Sequence, residues 1–212
     1  MVAPARKAAT LEDLLALPED EQRRFELVDG TLADRGATSS EHGQAQFNLS
    51  TCLTPFRRRL VPMGDAPIPP RGRSPGGWWF GTEIDVYFDA NNTFRPDVAG
   101  WRRDRLPEFP HGIPIRVRPD WVCEILSSNK RNDLIRKKRV YHRHQVPHYW
   151  IIDPEQQTLS VHRCAPDGYL EILVAERGEV VRAEPFEALP LAVGVIFGDD
   201  EEEPKAPPRP DQ

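Results

Sequence analysis

Residues 119–154 read PDWVCEILSSNKRNDLIRKKRVYHRHQVPHYWIIDP, and this stretch decides the fold. Trp121–Leu126 is a short apolar run of strand length, interrupted by one carboxylate, Glu124. Ser127, Ser128 and Asn129 supply turn and N-cap residues, whose side-chain oxygens accept from the unpaired amides of a helix start. Asn132–His144 is a charged helix, and Val146-Pro147 stops it because the residue before a proline is driven out of the α region. A second apolar run, His148–Ile152, follows. Two apolar strands joined by a helix make a βαβ crossover, which predicts that the strands are parallel and adjacent. Burying Glu124 on the first of them is costly unless something pairs with it. That cost is the first pointer to chemistry.

The 212 residues suit one domain over 10–197, with disordered ends expected at 1–9 and 198–212. An apolar share of 39% and five tryptophans are enough for a core, whereas 22 prolines predict frequent breaks and long loops. Part of the net charge of −5 sits in Asp199–Glu203, and the middle of the chain is locally basic. A polyanion partner therefore remains open, because binding follows the local field rather than the total; the same arginines equally suit a solvated face. Cys52, Cys123 and Cys164 are odd in number and lack metal-ligand spacing, so they read as thiols of a reducing compartment. No apolar run approaches about 18 residues and no signal-peptide core is present, so a cytoplasmic protein with no membrane partner is expected.

Taken in order, Thr10 caps a short helix over Leu11–Leu17, which Pro18 and Glu19-Asp20-Glu21 end. Asp29-Gly30 predicts a tight hairpin within Arg24–Ala33. Ser39-Ser40-Glu41 opens a helix to about Leu60, with Phe47, Leu53, Phe56 and Leu60 as its buried stripe. Trp78–Phe88 and Phe94–Trp101 read as two antiparallel strands, and Thr158–Arg163 with Gly168–Ala175 as a further hairpin. Val180–Ala183 and Leu189–Phe197 are weaker edge segments.

Three groups carry chemistry: Asp97 after Pro96, Glu124 in its strand and Lys137 in the following helix. Carboxylates brought together from neighbouring strands repel unless a cation sits between them. Magnesium answers that need, since it takes oxygen ligands from one or two carboxylates, water and a substrate phosphate. Glu83 offers a further carboxylate, and a lysine can orient water or stabilise developing charge. Singly, each residue reads as structural. His142, His144 and His148 form a loose cluster better explained as surface residues than as a zinc site. The basic stretch Arg102–Arg118, with Arg102, Arg103, Arg105, Lys130 and Arg131, is expected to line a groove for a DNA backbone.

Six motifs in one order resemble the Uma family of predicted restriction endonucleases, within the PD-(D/E)XK nuclease superfamily. They are Phe25-Glu26-Leu27-Val28-Asp29-Gly30, Glu41-His42, Arg95-Pro96-Asp97-Val98, Val122–Ser127, the spaced set Asp133, Lys137 and Tyr141, and Val146–Pro154. The resemblance spans about Leu11 to Phe197. It implies an α/β (α+β) restriction-endonuclease-like core, a central mixed sheet flanked by helices, with additional N-terminal and C-terminal hairpins. It also implies a Mg2+-dependent site (Mn2+ as an alternative) that cleaves DNA, with a homodimer left open. Carried over, Asp97, Glu124 and Lys137 are catalytic; Asp97, Glu124 and Glu83 hold the metal; Glu26, Glu41, His42, Asp133 and Tyr141 assist. Leu126 stands where the superfamily motif has lysine, and Lys137 on the next helix takes its place; Ser128-Asn129 is a second departure, in the turn. The alternative function is a nuclease-like domain without activity that binds nucleic acid or another partner.

Overall fold

A broken β-ribbon sets the architecture. Where the sequence reads as two long strands, β3 (Trp78–Thr82) and β4 (Val86–Asp89) are separate, as are β5 (Asn92–Phe94) and β6 (Val98–Arg102). The computed structural model describes residues 8–58, 76–127 and 131–200, the side chains of 131–133 excepted. Glu83 causes one break, with a left-handed φ of 55° that no continuous strand accepts. The other break falls at Arg95-Pro96-Asp97, where proline has no amide for a ladder bond. The ribbon therefore passes from one sheet into another, and Glu83 and Asp97 lie at the joint.

The smaller sheet has the order β2-β1-β5-β4. Its N-terminal hairpin, β1 (Phe25–Val28) and β2 (Thr31–Asp34), turns at Asp29 and Gly30 with φ of 46° and 67°. These are the left-handed angles that a two-residue hairpin loop requires. The larger, mixed sheet has the order β10-β9-β8-β7-β6-β3. β7 (Trp121–Ile125) and β8 (His148–Asp153) are its parallel neighbours, joined by α4 (Arg131–Arg143) as the crossover reading expects. The hairpin of β9 (Thr158–Ala165) and β10 (Gly168–Glu176) completes it.

Strand alternation on β7 decides what reaches each face. Trp121, Cys123 and Ile125 enter the core beneath α3 (Ser40–Cys52) with Leu49, Leu53, Trp150 and Phe186. Val122 faces α4, among Val140, Tyr141 and Tyr149. Glu124 shares Val122's side and so meets α4. Gly100 lets the aromatic layer close over β6, since a Cβ there would lie 3.2 Å from the rings of Phe80, Trp121 and Trp78. Among the described residues no helix is long and apolar enough to cross a membrane.

Four local expectations are corrected, beginning with the divided strands. α3 ends at Cys52 and gives way to a 3-10 turn, Thr54–Arg57, because Pro55 has no amide to continue the ladder. Its buried residues are His42, Ala45 and Leu49, followed by Leu53 and Phe56, whereas Phe47 is 72% exposed; Leu60 lies outside the described residues. The acidic cluster after Pro18 forms its own short helix, Glu19–Gln22, behind the first helix, Leu11–Leu15. Only Leu191–Ala192 of the last segment is strand, paired with Val180–Val181, and Val193–Ile196 turns helical to bury Val193 and Ile196.

Trp121 packs edge-on against Trp150 and Phe186, with ring centroids 5.4 and 5.1 Å away. Trp121→Ala is expected to lower the unfolding free energy by about 3–5 kcal/mol in denaturant titrations. Phe47→Ala should change it by less than about 0.5 kcal/mol. Equal costs for the two would refute this placement of the core.

Candidate active site

Lys137 emerges from α4 toward the sheets and is buried. Its Nζ lies 2.9 Å from Glu26 Oε2 on β1 and 3.2 Å from Glu124 Oε2 on β7. One turn further along α4, Tyr141 donates its hydroxyl to Glu124 Oε1 at 2.5 Å. The i, i+4 spacing places both side chains on one helix face. Glu26 Oε1 also accepts from the amide of Arg95, at 2.8 Å. One ammonium therefore links the small sheet, the large sheet and α4.

Asp97 is fixed from the opposite side. Its Oδ2 accepts from the amide of Ile125, the residue after Glu124, at 2.6 Å. Its Oδ1 lies 3.2 Å from His42 Nε2 on α3. Gln46, one turn after His42, donates to the Asp97 carbonyl at 2.7 Å and to Glu83 Oε1 at 3.1 Å. Arg35, in the coil after β2, meets three carboxylates: Glu83 at 2.6 Å, Glu26 at 3.3 Å and Asp97 at 3.7 Å.

Four carboxylates, Glu26, Glu83, Asp97 and Glu124, thus converge on two fixed cations, Arg35 and Lys137. The imbalance shows in the titration of the buried groups. Burial pushes Glu124 up to about 7; Asp97 and Glu26 add to the rise, while Lys137 and the Tyr141 hydroxyl oppose it. Burial also works against the charge on Asp97, but His42, Lys137 and the Ile125 amide outweigh it and hold this carboxyl below its ordinary range. Lys137 is opposed by burial too, yet Glu124, Glu26 and Asp97 raise it above an ordinary lysine. Burial and the Glu124 charge keep Tyr141 protonated as a donor.

One donor set suits a divalent cation. A ring nitrogen of His42 and carboxylate oxygens of Glu83 and Asp97 all lie within 4.8 Å of one another. The His42 ring is buried: Nδ1 has no hydrogen-bond partner and Nε2 has only Asp97 Oδ1 at 3.2 Å, a cost for an imidazole inside a protein. Hard oxygens with one imidazole fit Mg2+ and, better, Mn2+. Glu124 stands outside this set, its carboxylate held by Lys137 and Tyr141.

Comparison with known proteins places the chain in a family and supports its fold. The Uma2 family profile, described as "Putative restriction endonuclease", matches residues 11–194. The chain belongs to the Uma2 family. A crystal structure of a "putative nuclease belonging to DUF820" from Anabaena variabilis is similar in fold, with a TM-score of 0.64 at 23% identity. That match covers 89% of this chain and 97% of the other. No curated protein matches.

In this Uma2 chain the other sequence-derived candidates fall elsewhere. Glu41 is exposed on the first turn of α3. Arg102 ends β6, about 16 Å along the strand from Asp97, and Arg103 and Arg105 follow it. They are engaged internally, with Asp104, with the Trp79 ring and the Arg57 carbonyl, and with Asp120 respectively. Lys130 lies outside the described residues, as do the side chains of Arg131 and Asp133. His142, His144 and His148 face different partners: the Ala165 carbonyl, Asp89 and Glu184. Sequence reasoning missed Arg35 and Gln46. The i, i+4 spacing of His42 and Gln46 was a usable signal; Arg35, in a coil, offered none.

Glu124 binds its proton more tightly folded than unfolded. Its contribution to stability is therefore complete below its ordinary value of 4.5 and is lost as pH rises through about 7. Denaturant titrations in EDTA between pH 4 and 8 should show that decline, and Glu124→Gln, fixed in the uncharged shape, should flatten it. Lys137→Met leaves two buried carboxylates uncompensated and should cost about 3–5 kcal/mol above pH 7. That penalty should shrink on acidification as Glu124 takes up a proton. A variant as stable as the parent at pH 8 would show that the ammonium is dispensable to the fold.

Proposed function

We propose that this protein is a divalent-metal-dependent endonuclease that hydrolyses phosphodiester bonds of DNA. The observation that carries the reading is the convergence of Asp97, Glu124 and Lys137 beside a buried imbalance of charge. Four carboxyl groups face two cations, and one divalent ion offsets this excess of acidic groups without adding protons. Asp97, Glu83 and His42 would hold Mg2+ or Mn2+, with Glu124 as the carboxylate next to them. When bound, such an ion polarises a phosphoryl group and makes water a better nucleophile.

The chain's own residues supply the rest. Glu124, with its affinity for a proton raised to near neutrality, is suited to accept one from attacking water. Tyr141 orients that carboxylate through Oε1, leaving Oε2 to Lys137. Lys137 balances charge that builds on the phosphate, the part that the displaced motif lysine would take. Its Nζ meets Glu124 from α4, so Leu126 at the usual lysine position does not empty the site of an ammonium. A nuclease-like module without activity is the second reading, favoured by the way Arg35 already neutralises Glu83 and Asp97.

A cleavage assay on supercoiled and linear DNA with Mg2+, Mn2+ or EDTA separates the two. The nuclease reading expects cutting with either ion and none in EDTA. Asp97→Asn and Glu124→Gln should each reduce the rate by at least about a hundredfold, the scale set by losing a metal ligand or a general base. DNA left intact under every condition, by a protein shown to be folded, would support the inactive module.

A further inference from the structure

Of the two cations in the cluster, only one is carried by a coil. Lys137 is buried on α4 and is braced by both Glu26 and Glu124. Arg35 enters from the coil between β2 and α3, ahead of residues 36–41, all of which are exposed. Gly36 beside it has a left-handed φ of 67° and open space around it. The Arg35 side chain is 13% exposed and spans the cluster's outer side. Its Nη1 lies 2.6 Å from Glu83 Oε2, and its Nη2 lies 3.7 Å from Asp97 Oδ1. Asp97 Oδ1 is the oxygen left over after Oδ2 has accepted from Ile125, and the one that His42 Nε2 approaches. A cation held by Glu83, Asp97 and His42 must share these oxygens with the guanidinium.

We infer that Arg35 is a built-in competitor of the divalent cation: it pairs with Glu83 and Asp97 and must swing out for the ion to bind. This rests on the metal site proposed above and adds what controls its affinity. Two cations on the same oxygens repel, and the loss of the Glu83 pair subtracts from the binding free energy of the ion. A merely structural arginine would have the opposite signature. Its removal would loosen Glu83 and Asp97 and weaken metal binding.

Mn2+ titration by calorimetry on the full chain tests this, with the wild type, Arg35→Gln, Arg35→Lys and Asp97→Asn. R35Q is expected to bind Mn2+ on the order of tenfold more tightly than wild type, as befits the removal of a neighbouring like charge. R35K keeps the charge and should stay close to wild type, while D97N should bind far more weakly. A second measurement needs no variant. Phenylglyoxal labelling of the wild type, followed by peptide mass spectrometry, should rise several-fold at Arg35 on adding Mn2+. Arg95, paired to Asp85 at 2.9 Å, is the internal control and should not change. Binding in R35Q that is equal to or weaker than wild type, or Arg35 labelling unmoved by saturating Mn2+, overturns the inference and leaves the metal site standing. Absence of Mn2+ binding in wild type and R35Q alike overturns the metal site itself, and the inference with it.

Discussion

A lysine ammonium wedged between carboxylates from two different sheets is the constraint around which this molecule is arranged. Lys137 needs both partners, because an ammonium so deep in the protein is costly unless its charge is met. The contact fixes the distance of α4 from β7 and, at the same time, the seat of β1 against the larger sheet. Buried ion pairs give little net stability against an apolar replacement. This one instead makes the packing of two sheets and a helix conditional on correct charge pairing. The surrounding aromatic residues, Phe88, Phe94, Tyr141 and Tyr149, supply the apolar burial that the pair does not.

The joint between the sheets also carries an uncomfortable stretch of backbone. Glu83 holds a left-handed conformation there although it is not glycine, and Asp97 follows a proline at the corresponding break. Local strain of this kind persists only when the neighbourhood holds it in place. Gln46 does so by bonding both Glu83 and the Asp97 carbonyl. Regular strands in place of the two breaks would have spread these residues along a ribbon instead of gathering them over α3.

Much of this was legible in the sequence, for reasons that differ from residue to residue. The crossover from β7 through α4 to β8 declared itself because strand length, cap residues and a proline stop all agree. Lys137 and Tyr141 could be placed on one face from spacing alone, and Asp29-Gly30 named its own turn. The divided ribbon was not legible, since residues 78–88 are apolar enough for one strand and nothing local announces a left-handed glutamate. Phe47 reads as the start of a buried stripe with Leu53, Phe56 and Leu60, whereas the register of α3 is set by His42, Ala45 and Leu49. The basic stretch from the end of β6 stands out by its charge, and Arg102, Arg103 and Arg105 also contact Asp104, the Trp79 ring and Asp120 within the chain. Arg35 had no pattern to belong to. Only the approach of three separate segments gives it meaning.

The separation of those segments along the chain has a consequence for synthesis. Glu26 and Lys137 are 111 positions apart, and Glu83, Asp97 and Glu124 lie between them. Closing so long a loop is slow compared with forming hairpins and helices. During translation the four carboxylates exist before the ammonium that joins two of them, Glu26 and Glu124, has been made. No nascent or proteolysed piece ending short of α4 can assemble the cluster, so whatever chemistry resides there is confined to chains that have finished folding.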